Sequence, residues 1–193
     1  MTLFIILVIA ACVVVVMYIT SNSPSHEEVQ RQLAGVDDSQ LIIEAERIAL
    51  RVEVMIQSEI VGDDKTHKAV LDNNYDGPWP EKRNDGAYLS LYDNLRILKI
   101  AGINYCDKIS RYTGQCVCAL VPDPKNEFDP NAIKIVAEDG HKIGFIQSHQ
   151  TDFVRSLSGE NFPYRCLAVI QELEDEDDGH KFYNGRIYIK RAE

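Results

Sequence analysis

The 193 residues contain no G-x-x-x-x-G-K-[ST] loop, no G-x-S-x-G elbow, no H-E-x-x-H helix and no dinucleotide glycine pattern. Common motors and hydrolases are left without support, and the chain is expected to bind without catalysing. Basic charge is also scarce, with 20 Lys and Arg against 30 Asp and Glu for a formal net charge of −10. That excludes the long basic groove by which generic nucleic-acid binders neutralise phosphates and release counterions. Any nucleic-acid site would have to be a small local pocket. The acidic surplus is uneven: residues 22–94 hold seven Lys and Arg against fifteen Asp and Glu, whereas residues 95–193 hold thirteen against fifteen.

Cysteine is sparse and odd in number, at Cys12, Cys106, Cys116, Cys118 and Cys166. No disulfide framework of a small secreted domain follows from that set, and the residues read as reduced, mostly buried thiols. Cys116 and Cys118 would share one face of a strand, since side chains there alternate with period two. With Cys106 and Cys166 they could form a four-thiolate zinc site, although a C-x-C pair with two distant single cysteines is a weak signature. No other cofactor is indicated. The chain also has no N-x-[ST] glycosylation acceptor.

What the chain does have begins with an apolar run. Leu3–Ile19 is 17 residues without a charge or strong polar group, and at about 1.5 Å per helical residue it approaches the hydrocarbon thickness. A single-pass transmembrane anchor over residues 1–22 is expected. A cleavable signal peptide is the rival, favoured by small residues at 20–23 but lacking a basic n-region. No Lys or Arg precedes Arg31, so the positive-inside rule does not set the orientation. Free thiols and the missing glycosylation acceptors favour a cytoplasmic C-terminal domain.

Residues 23–93 read as a helical, loop-rich connecting segment. Glu27–Leu33 suits a short helix, interrupted at Gly35. A stronger helix is expected over 39–60, where Leu41, Ile42, Ala45, Ile48, Ala49, Val52, Met55, Ile56 and Ile60 follow helical spacing. Glu44, Glu46, Arg47, Arg51 and Glu53 mark its opposite, polar face, and Gly62 ends it. The apolar stripe suits a core or docking surface, and its sharper reading is self-association or a protein partner beside the membrane. Asn73-Asn74, Asp76-Gly77-Pro78 and Asp85-Gly86 then signal turns, with short helices expected near 66–72 and 87–94.

From Leu95 the pattern becomes short runs rich in Ile, Val and Tyr separated by turns. Strands are expected near 95–103, 115–121, 132–137, 142–147, 164–173 and 181–190, with one helix over 152–157. Asp139-Gly140 and Asp178-Gly179 suit hairpin connections. About six such strands over 94–193 close most economically into a small barrel, which removes exposed edges. The fold is therefore mainly β, an OB-like barrel preceded by a helical segment and a transmembrane helix. The acidic run Glu172–Asp178 is expected to be a solvated hairpin tip.

The loop from Pro122 to Asn131 is where chemistry would sit. Asp129 precedes Pro130 and is driven toward an extended backbone. Asn126, Asp129 and Asn131 can bind nearby backbone amides and hold the loop open. Phe128 is either a plug for the barrel mouth or an exposed surface on which a base could stack.

Three sequence elements together resemble the HIRAN domain, a small β-barrel module of some helicase-like ATPases and of free-standing bacterial proteins. They are Gly102-Ile103-Asn104-Tyr105, then Pro124-Lys125-Asn126-Glu127-Phe128-Asp129-Pro130-Asn131-Ala132-Ile133, then Lys142-Ile143-Gly144-Phe145-Ile146. The resemblance spans about Ile100 to Leu157. It implies an OB-like barrel that, in helicase-like members, holds the 3′ end of single-stranded DNA by stacking bases on aromatics and gripping the terminal sugar and phosphate. By the same resemblance Tyr105 matches a stacking tyrosine, and Asn126 and Asp129 match end-gripping polar residues. Asn104 stands where those binders place an arginine, Phe128 where they place a tyrosine, and Phe145 where they place a histidine. Two groups able to pair with phosphate are missing, with Lys108, Arg111 and Lys125 as neighbouring candidates to compensate.

Overall fold

Alternation along a single strand explains the architecture. In β6 (Lys181–Lys190) Ile187 and Ile189 enter the barrel interior while Tyr188, between them, is buried on the outer face. The partner β1 (Leu95–Ala101) does the same, with Leu98 and Ile100 inside and Leu95 and Ile97 outside. A strand apolar on both faces must be covered on both. The outer cover is supplied by α1 (Asp38–Val61), whose Val52, Ile56, Ile60 and Val61 pack against Leu95, Ile97, Val169 and Tyr188.

The computed structural model describes residues 38–83, 88–158, 162–175 and 179–191. The expected membrane span at 3–19 and the short helix at 27–33 lie outside the described residues. Among the described residues no helix is long and apolar enough to cross a membrane.

Six antiparallel strands close into a barrel in the order β1-β4-β3-β2-β5-β6, with β6 returning to β1. The remaining strands are β2 (Gly114–Pro122), β3 (Ile133–Ala137), β4 (Lys142–Ile146) and β5 (Tyr164–Glu174). The interior is filled by fully buried Leu120, Ile133, Ile135, Ile143, Ala168 and Ile187 together with Cys118 and Cys166. Each strand has a neighbour on both sides, although the β1–β4 seam is short, pairing only Ile100 with Ile146 and Ala101 with Phe145. A short helix, α2 (Asp64–Leu71), follows α1, and α3 (Thr151–Ser158) connects β4 to β5. The mainly β barrel, with helices before it and one helix between its fourth and fifth strands, is the architecture that the alternating pattern implies.

Three expectations need correction. The first strand stops at Ala101 rather than 103, because Gly102 adopts φ +67° and turns the chain into a 3₁₀ turn over Ile103–Tyr105. No helix forms between 88 and 94; Tyr88 instead makes an isolated bridge with Lys82, and the chain then turns into β1. Glu53, assigned above to the polar face of its helix, is fully buried and faces the barrel. Helical periodicity places a residue at an angle, but only its partners decide whether that angle is wet.

Those partners are specific. Tyr188 Oη donates to Glu53 Oε2 at 2.8 Å, and Arg186 Nη2 lies 3.1 Å from the same oxygen. Arg186 Nε donates to Tyr188 Oη at 2.7 Å, while Gln57 Nε2 donates to Glu53 Oε1 at 2.9 Å. Gln57 also receives the Leu91 backbone amide at 2.7 Å, tying in the segment before β1. Burial and the Glu53 carboxylate hold the Tyr188 phenol far above its ordinary range. The helix is thus docked by an apolar strip and by one satisfied buried network.

Candidate functional site

The sequence motifs converge on one sector of the barrel because of strand register. Phe145 on β4 is opposite Ala101 of β1 on one side and Lys134 of β3 on the other. Ala101 leads directly into the turn that carries Asn104 and Tyr105. Lys134 follows closely on the loop that carries Asn126, Phe128 and Asp129. Phe145 therefore stands between the two loops, half-buried, with its neighbours Ile143 and Ile146 in the interior.

Gly144 makes this approach possible. Its φ is +153°, and a Cβ there would lie 2.3 Å from Ile100 Cγ2 and 2.8 Å from the Ala101 carbonyl oxygen. Only glycine lets β1 pass this close to the bulged β4. The ladder register shifts between Ile135 and Val136 at the same level. A Cβ on Gly102 would meet Phe145 Cδ2 at 3.9 Å, so the Phe145 ring lies beside the turn that carries Tyr105.

The two loops are built by the residues that the resemblance associates with a ligand. Asn104 Nδ2 donates to the Tyr183 carbonyl at 3.0 Å, and the Tyr183 amide donates to Asn104 Oδ1 at 2.6 Å. Its side chain imitates a strand and pins the turn to β6. Asn126 Oδ1 accepts from the amides of Phe128 and Asp129 at 3.0 and 3.1 Å. Asp129 Oδ1 accepts from the Asn131 amide at 2.8 Å, and the Asp123 amide closes the loop base onto the Ala132 carbonyl at 2.8 Å. These are side-chain-capped turns, which order a loop without secondary structure. Asn126 Nδ2 and Asp129 Oδ2 keep no protein partner among the described residues.

The consequence is two aromatic rings held in solvent. Tyr105 is 93% and Phe128 95% exposed, the two highest values among the exposed large apolar side chains. Phe128 is not a plug for the barrel. Rings held bare on ordered loops offer their π-faces to a ligand without a change in the fold. Phe145 differs from both: its ring carries Lys142 Nζ at 4.9 Å from its centroid, a cation–π contact.

Two basic neighbours of this sector, Lys134 and Lys142, are visible only through the register. Of the compensating candidates, Lys108 and Arg111 fall at a separate 3₁₀ turn, Lys108 capping Ile109–Tyr112 and Arg111 within it, whereas Lys125 lies in the Phe128 loop itself. Arg155 of α3 donates to the Asn131 carbonyl at 3.1 Å and lies 5.9 Å from the Phe162 ring centroid, so it buttresses the loop's far end.

The cysteines form a separate cluster. Cys106, Cys116, Cys118 and Cys166 are free, Cys118 is directly opposite Cys166 on β2 and β5, and the sulfurs of Cys116 and Cys118 are 3.6 Å apart. Burial pushes the Cys166 thiol up to about 12 and raises the other three as well. Among the described residues no group of three or more His, Cys, Asp and Glu is arranged to hold a metal ion. The hairpin side of the acidic run is paired, with Glu172 accepting from Lys181 Nζ at 2.6 Å and from Tyr183 Oη at 3.0 Å.

Comparison with known proteins agrees with the sector's motifs. The family model described as the HIRAN domain matches residues 96–188, which are almost the whole barrel. Among solved structures, the crystal structure of the HIRAN domain of human HLTF is similar at 17% sequence identity and a TM-score of 0.34, covering 50% of this chain and 77% of that one. No curated protein matches.

Proposed function

We propose that the barrel is a non-catalytic binding module for single-stranded nucleic acid, held at a membrane by residues 3–19, with Tyr105 and Phe128 as its stacking surface. The observation that carries this reading is the near-complete exposure of both rings on loops ordered by their own Asn and Asp side chains. Bases stack on such rings whatever their sequence, because every base offers a π-face. The HIRAN match over 96–188 supports the class of ligand. The acidic chain as a whole argues for a local site rather than a groove.

Grip on a 3′ end would fall to Asn126 Nδ2 and Asp129 Oδ2. Asn104 is spent on β6, and Phe145 supplies no hydrogen bond. Stacking is therefore the larger part of the interaction and end preference the smaller. A fluorescence titration of the full chain in detergent with oligonucleotides free or blocked at the 3′ end tests both. Binding of either at low salt is expected, with a modest preference for the free end; no binding in the micromolar range would sink the reading.

A membrane-side protein-interaction role through the 39–60 helix is the second reading. Its apolar face from Val52 to Val61 is taken by the barrel, leaving Ile42 and Ile43, 40% and 65% exposed, for a partner. Charge substitution at Ile43 with an unchanged set of co-purifying proteins would count against it.

A further inference from the structure

Three lysines surround Phe145, and each arrives from a different strand. Lys142 of β4 lies over the ring, 4.9 Å from its centroid. Lys134 of β3 is directly opposite Phe145. Lys99 of β1 is two residues before Ala101, which is opposite Phe145 on the other side, so period two puts Lys99 on the same outer face. Lys99 is level with residue 147 and Lys142 is on the other side of Phe145, so at about 3.3 Å per residue and 4.8 Å between strands the group spans roughly 17 Å with the ring near its middle.

This cluster is short of counter-charge. Among the described residues no carboxylate pairs with Lys99 or Lys142. Lys134 has only a loose contact, 3.9 Å to Asp123 Oδ1. Arg186, opposite Lys99 on β6, is already neutralised by the buried Glu53. In a chain of net charge −10, three weakly paired cations around one aromatic ring form a local positive spot.

We infer that Lys99, Lys134 and Lys142 form a seat for the phosphodiester backbone of a single-stranded polynucleotide, with Phe145 as its apolar floor. The inference rests on the reading above and adds to it the element that the aromatic loops lack. The turn bearing Tyr105 and the loop bearing Phe128 flank the seat, so bases can stack to either side while phosphates cross between them. A backbone held at its middle by lysines needs no chain end, and the ammonium groups act as point charges rather than as a fork that reads a terminal phosphate. The seat takes the place of end-specific charge pairing.

The test is the salt dependence of binding. Full-length chain in detergent is titrated with an oligothymidylate over a range of salt concentrations, as wild type and as a Lys99→Gln, Lys134→Gln, Lys142→Gln triple variant whose fold is checked by circular dichroism. Each phosphate contact on a single strand contributes about 0.7 to the slope of log K against log[salt], so the variant's slope should be shallower by about 2. Phe128→Ala should weaken binding at every salt concentration and leave the slope unchanged. An unaltered slope in the triple variant, with the wild type still binding, overturns the seat alone; a wild type that does not bind overturns the functional reading itself.

A second readout needs no variant. Lysine acetylation footprinting should show Lys99, Lys134 and Lys142 protected by the oligothymidylate while Lys65 and Lys68 on α2 stay reactive. Protection by phosphatidylserine vesicles and not by the oligonucleotide would reassign the seat to an anionic membrane surface and overturn the proposal.

Discussion

Glu53 on α1 and Arg186 on β6 meet at 3.1 Å across the helix–barrel junction, and the carboxylate has no exposure to solvent. They are 133 residues apart in the chain, yet with Tyr188 and Gln57 they satisfy one another's hydrogen-bonding capacity. A carboxylate withdrawn from water in this way holds the helix to one sector of the barrel, because no other sector offers the same partners.

Removing one member of that network should cost far more than removing the charges together. Glu53→Ala leaves Arg186 and Tyr188 buried without their acceptor, and a loss of about 3–5 kcal/mol is expected in urea denaturation. A Glu53→Met, Arg186→Met double variant should recover much of it. Additive losses in the two single variants and the double variant would show that the pair is not coupled.

Gly144→Ala should be among the most damaging single-atom changes in the barrel. Its Cβ would meet a backbone carbonyl at 2.8 Å and Ile100 at 2.3 Å, neither of which can retreat without moving β1. Strain of this kind is on the order of 2 kcal/mol or more, read as a lowered urea midpoint. Gly62→Ala, with open space around it and φ +81°, should lose only about 1 kcal/mol.

The exposed rings allow stability and binding to be separated. Tyr105→Ala and Phe128→Ala should leave the thermal midpoint unchanged while weakening oligonucleotide binding by about 1–3 kcal/mol each, or roughly fivefold to 150-fold. Asn104→Ala should lower the thermal midpoint and weaken binding together, since it breaks two hydrogen bonds to Tyr183 and frees the turn beneath Tyr105. Unchanged affinity in Phe128→Ala would remove that ring from the site.

Alkali should destabilise the fold earlier than the unfolded chain's composition suggests. Burial raises the Cys166 thiol to about 12 and raises Cys118 as well. Each contributes stability that is complete below its unfolded value near 9 and is lost as pH rises through the folded value. Stability measured by urea should therefore decline from about pH 9 upward, and more shallowly in Cys166→Ala. A native thiol assay at neutral pH should find Cys166 unreactive until the protein unfolds; prompt labelling would contradict its burial.

Much of this was legible in the residues alone. Period-two runs of Ile, Val and Tyr placed all six strands to within about two residues at each end, because alternation is a local property of a half-buried pleated chain. Gly62 ended its helix as expected, and Asp139-Gly140 closed the β3–β4 hairpin, with Gly140 at φ +84°. The Asn and Asp residues of the 122–131 loop were readable as loop builders, since their hydrogen bonds reach only two or three residues along the chain.

What the tertiary structure decided was every property that depends on residues distant in sequence. Glu53 belonged on the wet face by its charge and moved to the dry one because Arg186 and Tyr188 are there to receive it. Asn104 became a strand mimic because β6 passes beside it, and Phe128 became a bare ring because no described residue reaches over it. Lys99, Lys134 and Lys142, scattered through 44 residues of sequence, became one charged spot around Phe145 only when β1, β4 and β3 paired in register. Local periodicity specifies which elements form; burial, partners and charge at a site are sums over space, and only the closed barrel brings the terms together.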